Sequence, residues 1–349
     1  MKQSLSLVSL AIPLSVLGGC SNEPDPAEVT EASPAPAVQE ATVAEPAVEA
    51  PVPAYPPATV EMSLKQVGPH FWYAEGTPGV ATDNQGFVSN AGVIVTGEGV
   101  IVVDSLGTPS LAQMLVERIR EITDQPIRKV IVTHYHADHI YGLQVFEELG
   151  AEILAPVGAE NYLRSEQAQE RLEERRFSLD PWVNDRTRLV EPDRYVGTAE
   201  TLTLGEVTLT LTPVGSAHSD GDLTVYVEPD RVLYSGDIIF EGRIPFLGDA
   251  NASRWVAVLE RMQTRGLTAL VPGHGPAAKD PQQAIRATYE YLAYLREKMG
   301  AAVAEFIPFD EAYADTDWSR FAHLPAFEAA NRRNAYQVYL AMEAEALGQ

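Results

Sequence analysis

Cysteine is almost missing from this chain. Cys20 is the only one in 349 residues, so no disulfide can close within the molecule. Basic residues are scarce too, with 25 Lys and Arg against 49 Asp and Glu and a formal net charge of -24. A surface of that sign repels phosphate backbones, which argues against nucleic acid as a partner and against nuclease chemistry. Residues 21–60 contain no Lys or Arg and no apolar periodicity. Prolines 24, 26, 34, 36, 46, 51, 53, 56 and 57 forbid long helices there, so the segment reads as a disordered, self-repelling tether. It is either a spacer or a leader with no length requirement.

The lone cysteine lies at an informative place. Lys2 supplies a positive start, residues 5–17 an apolar run too short for a lasting transmembrane helix, and Leu17-Gly18-Gly19-Cys20 a small-residue cleavage site. This resembles a bacterial lipoprotein signal. The resemblance implies cleavage before Cys20, lipid attachment there, and a chain anchored to a membrane and facing the periplasm. Ser21 follows the cysteine, so the usual inner-membrane retention signal is missing and either membrane stays open. The expected organisation is a signal over residues 1–20, a tether over 21–60 and a folded domain over 61–349.

With 45% hydrophobic residues over its 349 residues, the chain has ample material for a core. Residues 87–95 and 100–103 read as a hairpin around a Gly-rich turn, 109–122 as an amphipathic helix, and 130–132 and 153–154 as strands. A charged helix is expected over 161–176, and hairpins over 201–211 and 223–234. Asp280 and Pro281 start a helix running to about residue 299, and a last helix runs from about 326 to 347. Strands and helices thus alternate in a layered α/β pattern. Arg332 and Arg333 fit a helix surface.

Histidine is distributed unevenly. Thr133-His134-Tyr135-His136-Ala137-Asp138-His139 follows the apolar Val130-Ile131-Val132 and precedes an apolar-periodic stretch. Three imidazoles and a carboxylate in six positions are the ligand types that zinc prefers. In a turn between strand and helix, His134 and His136 can face one side while Asp138 and His139 face another, so one loop can feed two metals. His218 follows a strand-like run, Asp237 ends Val232-Leu233-Tyr234-Ser235-Gly236-Asp237, and His274 follows the apolar Val271. Each candidate sits where a strand becomes a loop, the place from which separate segments converge on one sheet edge.

This order, His134-x-His136-x-Asp138-His139, then His218, Asp237 and His274, resembles the ligand set of the metallo-β-lactamase superfamily. The resemblance implies a four-layer αββα sandwich and two zinc ions per chain. His134, His136 and His218 would hold one and Asp138, His139 and His274 the other, with Asp237 bridging. Asp104, ending a strand, would orient ligands from behind. Asp138 and Asp237 are the expected catalytic carboxylates. An Asp at 237, in place of the Cys of the best-known β-lactamase subclass, is similar to glyoxalase II, lactonases and SoxH-like metallohydrolases. Asn84-Gln85-Gly86-Phe87-Val88-Ser89-Asn90 and the run from Ser235 to Phe246 look most like the last group.

A hydroxide shared between two zinc ions needs no protein nucleophile, so the implied reaction is hydrolysis of an activated or cyclic carbonyl in a small molecule: a β-lactam, thioester or lactone. Two other readings stay open. Iron at His134, His136 and His218 would suit sulfur oxidation of the persulfide dioxygenase kind, and a binding lipoprotein could hold zinc without catalysis. For substrate contacts, Trp72 lies in the aromatic run 71–73, which is either core or cleft wall. Arg243 would hold a carboxylate or form a surface ion pair. His70 and His323 lie outside every ligand motif.

Overall fold

A computed structural model of the chain describes residues 55–248, 250–262 and 266–348. The leader, Cys20 and the tether as far as residue 54 lie outside them. Two sheets organise the rest. In the first, β1 (Leu64–Gln66), β2 (Phe71–Ala74), β3 (Ala91–Thr96), β4 (Gly99–Val103), β5 (Ile127–Ile131), β6 (Glu152–Pro156) and β7 (Arg194–Val196) lie side by side in chain order. The pairings are antiparallel up to β4 and parallel from β4 to β7. In the second, β8 (Glu200–Leu204), β9 (Val207–Gly215), β10 (Asp222–Val227) and β11 (Val232–Tyr234) form an antiparallel meander, and β12 (Ala269–Val271) adds parallel to β11.

Alternation along each strand separates three apolar layers. Phe71, Ile101, Val103 and Ile131 of the first sheet meet Leu209, Val225, Tyr234 and Val271 of the second in the buried centre. The opposite face of the first sheet, with Val93, Val102, Val130 and Ile153, is covered by α1 (Pro109–Arg120), α2 (Ala137–Ile140), α3 (Leu143–Glu148), α4 (Gly158–Leu163) and α5 (Glu166–Ser178). The far face of the second, with Leu233 and Leu270, is covered by α6 (Ala252–Arg261), α7 (Pro281–Ala304), α8 (Phe309–Asp315) and α9 (Phe327–Ala346). The result is the expected αββα sandwich.

Helix boundaries follow their caps. Thr108 accepts from Leu111 N ahead of Pro109, and Asp280 accepts from Gln283 N ahead of Pro281. The single charged helix expected over 161–176 is instead two, because Ser165 turns its hydroxyl to Ala168 N and starts α5 anew. The helix expected after the histidine loop is likewise broken between α2 and α3. At Gly142 the chain passes against Ser105, so closely that a Cβ would fall onto the Ser105 carbonyl. Residues 87–90, expected as strand, turn instead after positive φ at Gln85 and Gly86, and β3 begins at Ala91. The periodic run 252–261, which became α6, was not anticipated.

The domain also begins earlier than residue 61. Tyr55 is buried, its hydroxyl donating to Glu148 at 2.7 Å and accepting from Gln144 at 3.1 Å, and Trp182 Nε1 donates to the Pro57 carbonyl at 3.4 Å. Among the described residues no helix is long and apolar enough to cross a membrane.

Candidate metal centre

Strand directions bring the histidine and aspartate segments together. β4, β5, β11 and β12 end at one edge of the sandwich, and β10, antiparallel to β11, begins there. Asp104, the His134 loop, Asp237 and His274 therefore leave the sheets at the same edge, with His218 in the β9–β10 turn. One cluster joins His134, His136 and His218; His134 Nε2 and His218 Nε2 lie 3.1 and 2.9 Å from His136 Nδ1. A second joins Asp138, His139 and His274, with Asp138 Oδ2 3.1 Å from His274 Nε2 and 3.6 Å from His139 Nε2.

Asp237 stands between them. Its Oδ2 is 3.3 Å from His218 Nε2, 3.9 Å from His134 Nε2 and 3.2 Å from His274 Nε2, and its Oδ1 is 3.3 Å from His139 Nε2. This closeness requires glycine at 273, where a Cβ would collide with Asp237 Oδ1. His134, His139, His218, His274 and Asp237 are all buried, and only His136 and Asp138 reach toward solvent.

The outer nitrogens are fixed by groups behind them. His139 Nδ1 donates to Asp104 Oδ2 at 2.9 Å, and His274 Nδ1 donates to the Val88 carbonyl at 2.7 Å. His134 Nδ1 meets Thr133 Oγ1 at 3.1 Å, and that hydroxyl donates to Asp104 Oδ2 at 2.8 Å. These bonds set the tautomers so that each Nε2 lone pair faces inward. Asp104 also takes the Thr133 amide, and Asn90 ties the first half to the His274 loop by donating to the Pro272 and Gly275 carbonyls. Asp104 thus bonds directly to one of the clustered histidines and, through Thr133, to the support of another. The supporting roles of Thr133, the Val88 carbonyl, Asn90 and Asp222 were not read from the sequence, although Thr133 and Asn90 lie within the sequence motifs and Asp222 lies four residues after His218.

Electrostatics match a cation-binding interior. Burial disfavours the Asp237 charge, yet His274, His139, His218 and His134 hold its carboxyl well below the usual carboxylate range. Burial also opposes charge on His139, but Asp237, Asp138 and Asp104 raise that imidazole well above the ordinary 6.5. His218, by contrast, is driven down to about 3, chiefly by burial, and is neutral. His139 Nε2 and Asp237 Oδ1 are buried with no hydrogen-bond partner. Donor atoms about 2.0–2.1 Å from a tetrahedral zinc stand roughly 3.3 Å apart, close to the separations seen here. Imidazole and carboxylate donors, orphaned buried atoms and these spacings all fit divalent metal.

The two expected substrate residues part company. Trp72 lies in β2 on the face turned toward the outer helices, where it packs on the first layer's core, the core alternative of its two readings rather than the substrate contact. Arg243 is not a surface residue. It is buried, Nε and Nη1 have no hydrogen-bond partner, and its guanidinium stacks 5.6 Å from the Phe246 ring centre. Burial lowers its pKa while the charges of Asp237 and Asp138 act to raise it, so it lies within electrostatic reach of the centre. His70 pairs with Asp230 at 2.8 Å, at the opposite end of β11 from Asp237.

The sequence pattern of the metallo-beta-lactamase superfamily matches residues 84–274. Acyl-coenzyme A thioesterase MBLAC2 of Gallus gallus is 32% identical over 157 residues, 41% of this chain and 55% of that protein. A metallo-beta-lactamase type 2 of Bacillus sp. (strain 170) is 24% identical over 192 residues, 54% of this chain and 66% of that protein. This chain therefore spans between half and two thirds of the length of these relatives. A solved metallo-beta-lactamase from Pontibacter korlensis superposes with a TM-score of 0.53 at 20% identity, covering 67% of this chain and 99% of that one, a likeness of fold. The match over more than half of the chain makes it a member of the metallo-beta-lactamase superfamily.

Proposed function

We propose that this chain is a binuclear zinc-dependent hydrolase of activated or cyclic carbonyl compounds, SoxH-like in its ligand set, anchored through lipid at Cys20 and facing the periplasm. The observation that carries the proposal is Asp237, one carboxylate within 3.2–3.9 Å of four imidazole nitrogens drawn from both clusters. His134, His136 and His218 would hold one ion, Asp138, His139 and His274 the other, and Asp237 would bridge. Bound zinc supplies Lewis acidity and lowers the pKa of water.

The protein groups do the rest. The buried ligands are held in place before substrate arrives, which keeps reorganisation small. Asp138, the partly exposed carboxylate of the cluster, would take a proton from entering water. Arg243, with two unpartnered donors, would receive an anionic group of the substrate. A complete second cluster supports two ions over a single iron, and the thioesterase and β-lactamase among the relatives support a carbonyl substrate.

The test combines metal analysis of the purified full chain with initial rates on a chromogenic cephalosporin, a thioester and a lactone, beside His136→Ala. Two zinc ions per chain and a rate on at least one substrate that His136→Ala abolishes are expected. One iron per chain with sulfur oxidation, or tight zinc without turnover on any of the three, overturns the proposal. Metabolic labelling with a radioactive fatty acid, lost in Cys20→Ser, tests the anchor.

A further inference from the structure

Among His134, His139, His218 and His274, only His218 lacks a partner for its outer nitrogen: Nδ1 is buried without a hydrogen bond. Something else must fix that ring. On the aromatic side, Trp255 lies edge-on at 5.2 Å between centroids and Phe240 at 5.8 Å. On the backbone side, the turn that carries His218 closes on the buried carboxylate of Asp222. Asp222 accepts from Ala217 N at 3.1 Å, from Ser219 N at 3.0 Å and from Ser219 Oγ at 2.8 Å, gripping the residues on either side of His218. The turn is secured further by Asn251 N donating to the Ala217 carbonyl at 2.9 Å.

We infer that Asp222 is a positioning residue for His218, taking by backbone capture the part that Asp104 plays for His139 and the Val88 carbonyl for His274 by direct contact. The inference rests on the metal reading proposed above. Its consequence is selective. Loosening the turn frees the His218 ring while His139 and His274 keep their own supports, so one of the two ions should weaken and the other should not. Loss of an outer support typically costs ten- to a hundredfold in metal affinity.

The test is a titration of the metal-free full chain with Co²⁺, read by stoichiometry and visible ligand-field absorption, for wild type, Asp222→Asn and Ser219→Ala, with His218→Ala and His274→Ala as site references. Wild type should bind two ions. Asp222→Asn should weaken by about tenfold or more the ion that His218→Ala removes, leaving the ion that His274→Ala removes unchanged. Ser219→Ala, which deletes only the hydroxyl donor, should weaken the same ion by less and stands in if Asp222→Asn does not fold. Two ions bound as in wild type by the variants that fold, or both weakened equally with a drop in the metal-free melting temperature, overturns the inference. A wild type that binds no cobalt or zinc defeats the metal reading itself, and this inference with it.

Discussion

Asp104 has a left-handed φ of 62°, a conformation Asp tolerates better than most residues, and from it the carboxylate reaches the Thr133 amide, the Thr133 hydroxyl and His139 Nδ1. Removing it strands three buried donors. Asp104→Ala should therefore destabilise the fold by about 3 kcal/mol, measured by denaturant unfolding of the metal-free chain, and weaken metal uptake as well. Arg243 makes a different prediction. If its free donors receive a substrate anion, Arg243→Ala should raise KM for a carboxylate-bearing cephalosporin roughly ten- to a hundredfold, and leave KM for an uncharged lactone within about twofold. Equal effects on both would assign Arg243 to the fold. The clustered histidines and aspartates were legible as candidates because their types and spacings are rare, whereas Trp72 could be read as core or as cleft wall because only its position in β2 decides which face it occupies.

At the scale of elements, α6 is the piece that joins packing to the site. Trp255 is fully buried, its indole N–H donates to the Ile238 carbonyl at 3.0 Å, and the ring lies against both His218 and Phe240. Trp255→Ala should cost about 3–5 kcal/mol in a melting or denaturant experiment. It should also broaden the His218 ring resonances, which a purely structural cavity elsewhere would leave sharp. Phe240 stacks at 5° on His274, so one aromatic pair walls ligands of both clusters. None of this was visible beforehand, since an apolar run says that a helix is buried and not against what. Residues 87–90 show the same limit: their composition suits a strand, but Asn90 spends its side chain on the His274 loop, and the backbone turns to let it.

For the whole molecule, the clustered charges set a pH response. In the metal-free chain, burial opposes the charged forms of His139 and His274, but their carboxylate neighbours outweigh it and raise both imidazoles above 6.5. The stabilisation they give is complete below the unfolded value and is lost as pH rises through the folded one. The Asp222 carboxyl, pushed by burial from 3.8 up to about 7, gives a loss in the same direction that is nearly complete by about pH 7, so the fall above that pH belongs to the imidazoles. The metal-free chain should thus melt at lower temperature as pH is raised above about 6.5, while metal affinity climbs because bound protons leave. Scanning calorimetry with and without zinc reads both, and an unchanged metal-free melting temperature from pH 6 to 9 would refute the coupling. The boundary of the domain is testable too. Chains beginning at residue 55 should be more stable than chains beginning at 61 by roughly 1–3 kcal/mol, because the latter lose buried Tyr55 and its bonds to Glu148 and Gln144.

What the sequence determined by itself was local: strand and helix periods, a cap at Asp280, and an order of histidines and aspartates that resembles the superfamily's ligand set. Those follow from short-range sterics and from the chemistry of the side chains, which do not depend on distant contacts. Only the tertiary structure decided which groups stand behind the clustered histidines, that Arg243 is buried with free donors, that Trp72 faces the outer helices and that Tyr55 and Pro57 bond to the domain. Each of these depends on how the two sheets and their helices close over one edge, a long-range arrangement of segments far apart in sequence, such as Val88 and His274, 186 residues apart.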